Sequence, residues 1–416
     1  MNKKLLFFML FLPIFTIGQQ VGNFGIKFHG FVKSDLLFDS RQTVDAREGH
    51  FLLFPTNENL DPDGNDINGK SSFNMLSIQT RLQGFITGPD IGDIKTSAYI
   101  EGEFFGMNNA DINGFRLRHA FLKLKWKTAS ILVGQYWHPL FATNCYPGTV
   151  SFNTGAPFQP FSRNPQIRLT KSFGGFNIIL TAMSQVDFMS NGPGGASPSY
   201  LRNSTIPAVN IRAEYEVKNE DNGMGFLIGA SANYKSLVPR LITVTGYQTS
   251  QKISSVSFAG YAKFVSKAIT LKAYGFYGGD AYNLTMLGGY AVTANTDPVR
   301  DYVEYSCMKT NSYWIDFTTN GKKLAWGMFG AYSKNLGSSD KIVGATYARG
   351  ANIDFLYRLS TRLIWNVEKF RLAPEIEYTT AAYAKQGALD IDDYGKVTDS
   401  KAISNFRFLI GFYYFF

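Results

Sequence analysis

The sequence has few of the residues that build metal centres and catalytic sites. Its 416 residues include only four histidines and two cysteines. His29, His50, His119 and His138 show no paired metal-ligand spacing, and no histidine is placed to activate a serine. The segment 61–66 resembles the start of a calcium loop but has Ser72 where the last ligand should be Glu. We therefore expect no metal ion, no cofactor and no enzyme activity.

Long apolar runs are also missing. After the N-terminus no stretch of about twenty apolar residues could cross a membrane as a helix. The N-terminus itself has Lys3 and Lys4, then apolar residues 5–15, then small residues ending at Gly18. This pattern predicts a signal peptide over residues 1–18 and one mature domain over 19–416. The chain is therefore expected to leave the cytoplasm.

The charge is positive but dispersed. The 41 Lys and Arg residues exceed the 32 Asp and Glu residues, which gives a formal net charge of +9. No basic patch of the kind that binds nucleic acid is visible, so we expect no nucleic-acid partner. The excess could favour anionic solutes, but it could equally serve lipid headgroups or loops.

Aromatic residues are abundant, and their placement at the C-terminus is informative. Six apolar residues fall on alternate positions up to the last residue of the chain: Phe406, Phe408, Ile410, Phe412, Tyr414 and Phe416. Residues two apart share one face of a strand, so this strand has one fully apolar face. A transmembrane β-barrel needs such a face, whereas a soluble protein would bury it as a core strand. We favour the barrel. Phe406, Phe412, Tyr414 and Phe416 are further expected to form the signal that the outer-membrane assembly machinery recognises.

Alternating runs occur throughout the mature chain and predict an all-β fold, a transmembrane antiparallel β-barrel of about sixteen strands. The predicted strands are 25–38, 73–87, 94–106, 114–127, 130–137, 165–173, 176–187, 209–217, 224–236, 253–266, 268–280, 311–320, 323–334, 350–365, 370–384 and 403–416.

The connections alternate between short turns and long loops. The predicted loops are 39–72, 107–113, 138–164, 188–208, 237–252, 281–310, 335–349 and 385–402. Outer-membrane barrels place short turns in the periplasm and longer loops outside, so both chain ends are expected in the periplasm. Cys145 and Cys307 fall in two external loops, where the oxidising setting permits a disulfide that the sequence cannot establish.

The polar partners of the apolar positions are expected to line a pore. They are Arg81, Glu101, Glu103, Arg116, Arg118, Arg212, Glu214, Glu216, Arg358, Arg362, Arg371, Glu375, Glu377 and Arg407. Opposed charges could create a transverse field across a water-filled lumen, or they could simply pair with one another.

Two neighbouring cations stand out among these positions. Arg116 and Arg118 share a strand face, but Lys123 and Lys125 have the opposite parity. Either a bulge intervenes near His119, or one pair lies at a membrane boundary. Facing inward, the arginine pair would suit a carboxylate or phosphate.

The chain resembles the porin superfamily, and more narrowly the porin-like barrels of Bacteroidota related to the DcaP-like group. The resemblance is carried by segments 51–56 (FLLFPT), 78–82 (IQTRL), 87–90 (TGPD), 101–105 (EGEFF), 115–120 (FRLRHA) and 134–139 (GQYWHP). It implies a channel for small anions and a homotrimer. DcaP-like porins also carry a helical extension before the barrel, for which this chain has no room between signal and first strand.

The resemblance also bears on the proline- and aromatic-rich segment 138–165. It is the third external loop by the strand count, and the third loop of porins folds inward and narrows the channel. The expected constriction residues are His138, Tyr146, Phe152, Phe158, Phe161 and Arg163. A subunit contact or a place on the cell surface are the alternatives for this loop.

The sequence thus predicts an integral multi-pass protein of the outer membrane that lets small hydrophilic solutes, anions among them, diffuse passively. Its expected partners are outer-membrane lipids, the barrel assembly machinery and the solutes. The alternative from another class is a non-conducting barrel that serves as a surface scaffold or as a partner in a secretion or adhesion complex. A lumen closed by packed loops would favour the scaffold, and an open aqueous path the porin.

Overall fold

The computed structural model describes residues 24–106, 109–219 and 223–416. The predicted signal peptide, residues 1–18, lies outside them. The strands within the described residues are β1 (Gly25–Asp39), β2 (Thr43–Ala46), β3 (Phe51–Pro55), β4 (Ser72–Leu76), β5 (Arg81–Thr87), β6 (Lys95–Phe104), β7 (Phe115–Lys125), β8 (Ala129–Trp137), β9 (Arg163–Phe173), β10 (Phe176–Met183), β11 (Ala208–Asn219), β12 (Met224–Leu237), β13 (Ile253–Val265), β14 (Ile269–Gly279), β15 (Gly288–Asp297), β16 (Tyr302–Thr319), β17 (Leu324–Gly337), β18 (Thr346–Arg349), β19 (Ile353–Val367), β20 (Phe370–Ala384) and β21 (Ser400–Phe415).

Helical structure is confined to the connections. The described residues contain one short α-helix, α1 (Ser199–Arg202), and 3₁₀ turns at Ile67–Gly69, Asn109–Asp111, Tyr282–Leu284 and Gly387–Asp390. None of these helices is long and apolar enough to cross a membrane.

The antiparallel sheet closes on itself. Strand β1 pairs with β21 on one side, from Phe31 opposite Phe415 to Asp39 opposite Arg407. On its other side β1 pairs with β4 and β5, which act as one strand interrupted between Leu76 and Arg81. With β4 and β5 taken together, and the β2–β3 hairpin, β15 and β18 set aside, sixteen strands form the wall. The predicted transmembrane barrel of about sixteen strands is confirmed.

The outer surface is apolar because the strands alternate. In β21, Phe406, Phe412 and Tyr414 are 42–46% exposed, whereas Arg407 and Leu409 on the opposite face are buried. Strand β11 repeats this arrangement, with Val209 and Ile211 exposed. A side-chain period of two therefore puts apolar groups outside and polar groups inside the barrel.

Three predicted loops, 39–72, 281–310 and 335–349, contain strands that were not expected from the sequence, and the last of them includes β18, which pairs with β15. The loop 281–310 includes β15 and the start of β16, which extends the wall past the expected boundary at residue 311. The loop 39–72 includes the β2–β3 hairpin. Residues 51–55 of β3 are buried on both faces, so their sequence shows no alternation and was not recognised as a strand.

The interior of the barrel is packed rather than empty. A buried apolar cluster joins the β2–β3 hairpin, through Phe51 and Phe54, to Phe152, Phe158 and other residues of segment 138–162. Leu284, at the end of the 3₁₀ turn Tyr282–Leu284, and Met286 and Leu287 after it belong to the same cluster. Three connections thus fold inward and share one core.

Candidate functional site

A bulge in β7 determines which side chains enter the barrel. Glu101 pairs with His119 and Gly102 with Leu117, so Arg118 is an extra residue between the two pairs. The bulge shifts the alternation by one position, and Arg118 and His119 are both buried. The parity conflict between Arg116 and Lys123 is therefore explained by a bulge rather than by a membrane boundary.

The bulge builds a network of arginines around two carboxylates of β6. Glu103 lies 2.6 Å from Arg118 Nη1, 3.0 Å from Arg81 Nη2 and 3.4 Å from Arg116 Nη2. Glu101 accepts a hydrogen bond from Arg118 Nε and a 2.5 Å bond from the Tyr99 hydroxyl. Two carboxylates that share several guanidinium groups stay ionised and fix the positions of those groups.

A third carboxylate, Asp187, joins this network from the connection after β10. Its Oδ1 lies 2.8 Å from Arg116 Nη1, and its Oδ2 lies 2.8 Å from Arg163 Nε and Nη2. Burial alone would raise the pKa of Asp187, but Arg163 and Arg116 hold it at about 2. Arg47, in the turn of the β2–β3 hairpin, is close enough to Arg116 to be affected by its charge. Burial and then Arg116 lower the pKa of Arg47 to about 9.

A second charged group extends along the wall from β16 to β1, on the other side of β5 from β6 and β7. Arg358 Nε is 3.1 Å from Glu377 Oε1, and Arg362 Nη1 is 2.9 Å from Asp316 Oδ2. Arg407 Nη2 lies 2.6 Å from Asp39 Oδ2 where β21 meets β1. All of these side chains are buried. Each charge has an oppositely charged partner, which offsets the cost of removing it from water.

The remaining predicted pore residues are less tightly held. Arg212 Nε is 3.5 Å from Glu214 Oε2. Glu216 is half-buried and lies 3.0 Å from the exposed Lys218 near a short turn. Arg371 is half-buried and faces the rings of Tyr413 and Phe415 at 5.8 and 5.1 Å.

Segment 138–162 crosses the interior and bonds to walls that face each other. The Arg212 guanidinium donates to Pro139 O at 3.1 Å, and Lys263 Nζ donates to Asn144 O at 2.7 Å. Further along, Trp314 Nε1 donates to Gln159 Oε1 at 2.7 Å. These donors belong to β11, β13 and β16, and they bind main-chain or amide oxygens that would otherwise be left unsatisfied.

The wall also holds this segment through acceptors. Glu375 Oε2 accepts the N–H groups of Val150 and Ser151, both at 2.7 Å. Arg358 donates to Ala156 O and to Leu53 O, both at 2.8 Å. One arginine thus bonds to both segment 138–162 and the β2–β3 hairpin.

The six expected constriction residues occupy different positions in this segment. His138, Phe152, Phe158 and Phe161 are buried, and Tyr146 is exposed. Arg163 is the first residue of β9, so it belongs to the wall rather than to the loop. Trp137 stacks on Phe141, with ring centroids 4.0 Å apart.

A cavity of about 800 Å³ lies between the wall and segment 138–162. Its lining includes the cations Arg81, Arg118, Lys123 and Arg371, and the aromatic residues Phe31, Phe85, Tyr99, Phe121, Tyr136, Trp137 and Tyr413. Among the described residues, one carboxylate lines the cavity, that of Glu101. The cavity therefore has a cationic and aromatic wall.

The two cysteines do not form a disulfide. Both are free, Cys145 inside the barrel and Cys307 in β16 rather than in the loop expected from the sequence. Burial raises the pKa of Cys145 to about 11. Among the described residues no group of three His, Cys, Asp or Glu side chains is arranged to hold a metal ion.

Sequence reasoning missed the roles of Arg47, which lies in a predicted loop, and of Asp187, which ends the predicted strand 176–187 although β10 ends at Met183. The sequence carried no signal for Asp187, because only the inward course of its connection brings it to Arg163. Arg47 had a partial signal, because it directly precedes the apolar run 51–55 that packs inside the barrel.

Comparison with known proteins adds fold-level similarity. No protein-family model matches the chain, and no curated protein matches it. Among solved structures, the outer membrane channel DcaP of Acinetobacter baumannii has a TM-score of 0.67 at 16% identity, covering 96% of this chain and 99% of that one. An anion-selective porin from Comamonas acidovorans has a TM-score of 0.55 at 12% identity, covering 94% and 100%. The in-vitro folded OmpT of Vibrio cholerae, in its trimer form, has a TM-score of 0.55 at 10% identity, covering 94% and 99%.

Proposed function

We propose that the protein is an integral outer-membrane porin that lets small hydrophilic solutes diffuse passively, with a preference for anions. The observation that carries the proposal is the cavity inside the closed barrel, lined by four cations and one carboxylate of the described residues. A water-accessible space whose wall bears excess positive charge lowers the energy of an anion and raises that of a cation.

The structural neighbours support a finer version of this proposal. One is named as an outer membrane channel and another as an anion-selective porin. A relation to the DcaP-like porins of Bacteroidota is our proposal from the sequence motifs, and the likeness to the DcaP channel supports its DcaP-like part. A homotrimer is part of the same proposal, since one neighbour is described in a trimer form.

The predicted site residues receive roles within this function. Arg81, Arg118 and Arg371 contact the solute path, whereas Arg358, Glu375 and Glu377 hold segment 138–162 in position. That segment narrows the channel, with Tyr146, Phe152 and Phe161 lining the cavity and Phe158 packed behind them. The outward aromatic residues of β21 carry the assembly signal and contact lipid.

A second candidate function draws on the packed interior. The apolar cluster that joins the β2–β3 hairpin to segment 138–162 fills part of the barrel. A barrel whose interior stays filled would not conduct and would serve as a surface scaffold or as a partner in a larger complex.

The test is single-channel recording of the refolded protein in planar bilayers, with the reversal potential measured in a KCl gradient. We expect stable ohmic conductance steps. The reversal potential should have the sign that results when chloride permeates more readily than potassium. A correctly folded, heat-modifiable barrel that never conducts would contradict the porin function and support the scaffold.

A further inference from the structure

Three arginines from separate elements converge on one carboxylate. Arg116 comes from β7, Arg163 from β9 and Arg47 from the hairpin turn, while Asp187 belongs to the connection between β10 and α1. Asp187 binds Arg116 through Oδ1 and Arg163 through Oδ2, at 2.8 Å each. Charge-assisted hydrogen bonds of this kind are how arginine recognises a carboxylate of any origin.

Arg47 adds positive charge at this place without a carboxylate in direct contact. It is 2% exposed, and its Nε donates to Gly106 O at 2.7 Å. Its Nη1 has no hydrogen-bond partner, and no ion pair of the described residues includes it. A buried guanidinium without a carboxylate is costly, so a further anionic oxygen here would be stabilised.

The connection that carries Asp187 also touches the packed loops. The Phe188 ring lies 5.9 Å from Phe51 of the β2–β3 hairpin and 5.8 Å from Phe161 of segment 138–162, measured between ring centroids. Phe161 in turn lines the cavity. Movement of Asp187 away from the arginines would therefore withdraw Phe188 from the contact between the two loops.

We propose that Asp187 occupies, as an internal ligand, a binding site that a solute carboxylate takes over when the channel opens. The inference rests on the porin function proposed above and identifies the residue that regulates its arginine site. Exchange of one carboxylate for another keeps the charge balance, so the exchange itself costs little. The solute reaches the site only when the connection after β10 moves, because Arg47, Arg163 and Asp187 are buried and the Arg116 side chain is only 9% exposed.

The concentration at which a solute carboxylate competes with Asp187 depends on how closely the chain holds Asp187 to the arginines. A group on a short flexible tether has an effective concentration of the order of millimolar, and the packed connection after β10 holds Asp187 at least as closely. A free carboxylate should therefore compete with Asp187 at roughly millimolar concentration or above, and a neutral amide should not compete at all.

The experiment compares Asp187→Asn with wild type in planar bilayers, using acetate and its neutral analogue acetamide as probes. Wild type is expected to show an open probability that rises several-fold as acetate replaces chloride and that does not respond to acetamide. Asp187→Asn is expected to be open already in chloride and to lose the acetate response. The matched control is Asp280→Asn, since Asp280 is also buried, lies outside the strands and is paired, with Lys235 at 2.8 Å. It should behave as wild type.

The possible outcomes distinguish a failure of the Asp187 proposal from a failure of the porin function. Wild type that conducts with an open probability independent of acetate overturns the inference, whether or not Asp187→Asn folds. The inference is also overturned if folded Asp187→Asn and Asp280→Asn show the same open probability and the same response to acetate. No conductance from wild type in either salt contradicts the porin function itself.

Discussion

Glu375 Oε2 accepts the backbone N–H of Ser151 at 2.7 Å, and the same oxygen accepts that of Val150. A wall carboxylate thus fixes the middle of the segment that crosses the barrel. Glu375→Gln removes the charge from both hydrogen bonds. Because hydrogen bonds to charged groups contribute about 1.5–3 kcal/mol, we expect the free energy of unfolding to fall by about 1–3 kcal/mol. Urea unfolding in detergent measures this change, and single-channel recordings should show more frequent brief closures.

The matched control for this change is Glu216→Gln. Glu216 is half-buried and paired with the exposed Lys218, so its ion pair is screened by water. We expect less than about 0.5 kcal/mol of change and an unaltered conductance trace. Equal effects of the two substitutions would mean that Glu375 does not anchor segment 138–162.

Arg358 should be among the most sensitive positions of the interior. It is fully buried, binds Glu377 and donates to main-chain oxygens of two separate loops. Arg358→Met leaves Glu377 buried without its partner, so we expect a loss of about 3–5 kcal/mol in urea unfolding. The double variant Arg358→Met/Glu377→Gln should recover part of that loss. No recovery would show that the main-chain contacts, rather than the ion pair, are decisive.

Arg371 should contribute to anion preference without supporting the fold. It lines the cavity, is half-buried, and its Nε donates to Asn366 Oδ1 at 2.8 Å. Arg371→Gln removes one of four lining cations, so the reversal potential in a KCl gradient should move toward zero. The control is Lys341→Gln, because Lys341 is an exposed loop cation paired with Asp393. A shift of the same size in the control would assign the preference to overall charge instead.

The thiols should be free, and the two should differ in reactivity. Cys145 is fully buried and its pKa is raised to about 11, which leaves almost no thiolate near pH 8. In a Cys307→Ser variant, labelling by a thiol reagent should require denaturation. Fast labelling of the native variant, or a reducible shift of wild type on a gel, would contradict the packed position of Cys145.

Stability should depend on pH through His138. Burial, followed by the charges of Lys235 and Arg168, lowers the pKa of His138 to about 3. The unfolded chain binds this proton near pH 6.5, so the stabilising contribution is present above pH 6.5 and is lost as the pH falls toward 3. Between pH 7 and pH 5 the loss should be about 2 kcal/mol. His138→Gln should lose correspondingly less over the same interval when urea unfolding of both proteins is compared. Parallel pH profiles would contradict a neutral buried histidine.

The sixteen wall strands could be predicted from the sequence because alternation is local. In β11 and β21 the apolar side chains face outward and the polar ones inward, as a period of two requires. The bulge at Arg118 was recognisable in part, since the parity of Lys123 and Lys125 conflicted with that of Arg116. The choice between a bulge and a membrane boundary needed the register against β6.

The sequence by itself determined which side of each strand contacts lipid, because consecutive residues of a strand point to opposite faces. Only the tertiary structure decided what fills the barrel. Arg47, Phe51, Val150 and Asp187 reach the interior through connections whose course depends on distant partners such as Arg163, Arg358 and Glu375. Contacts of this kind arise from the closure of the whole sheet, and no local pattern of residues encodes them.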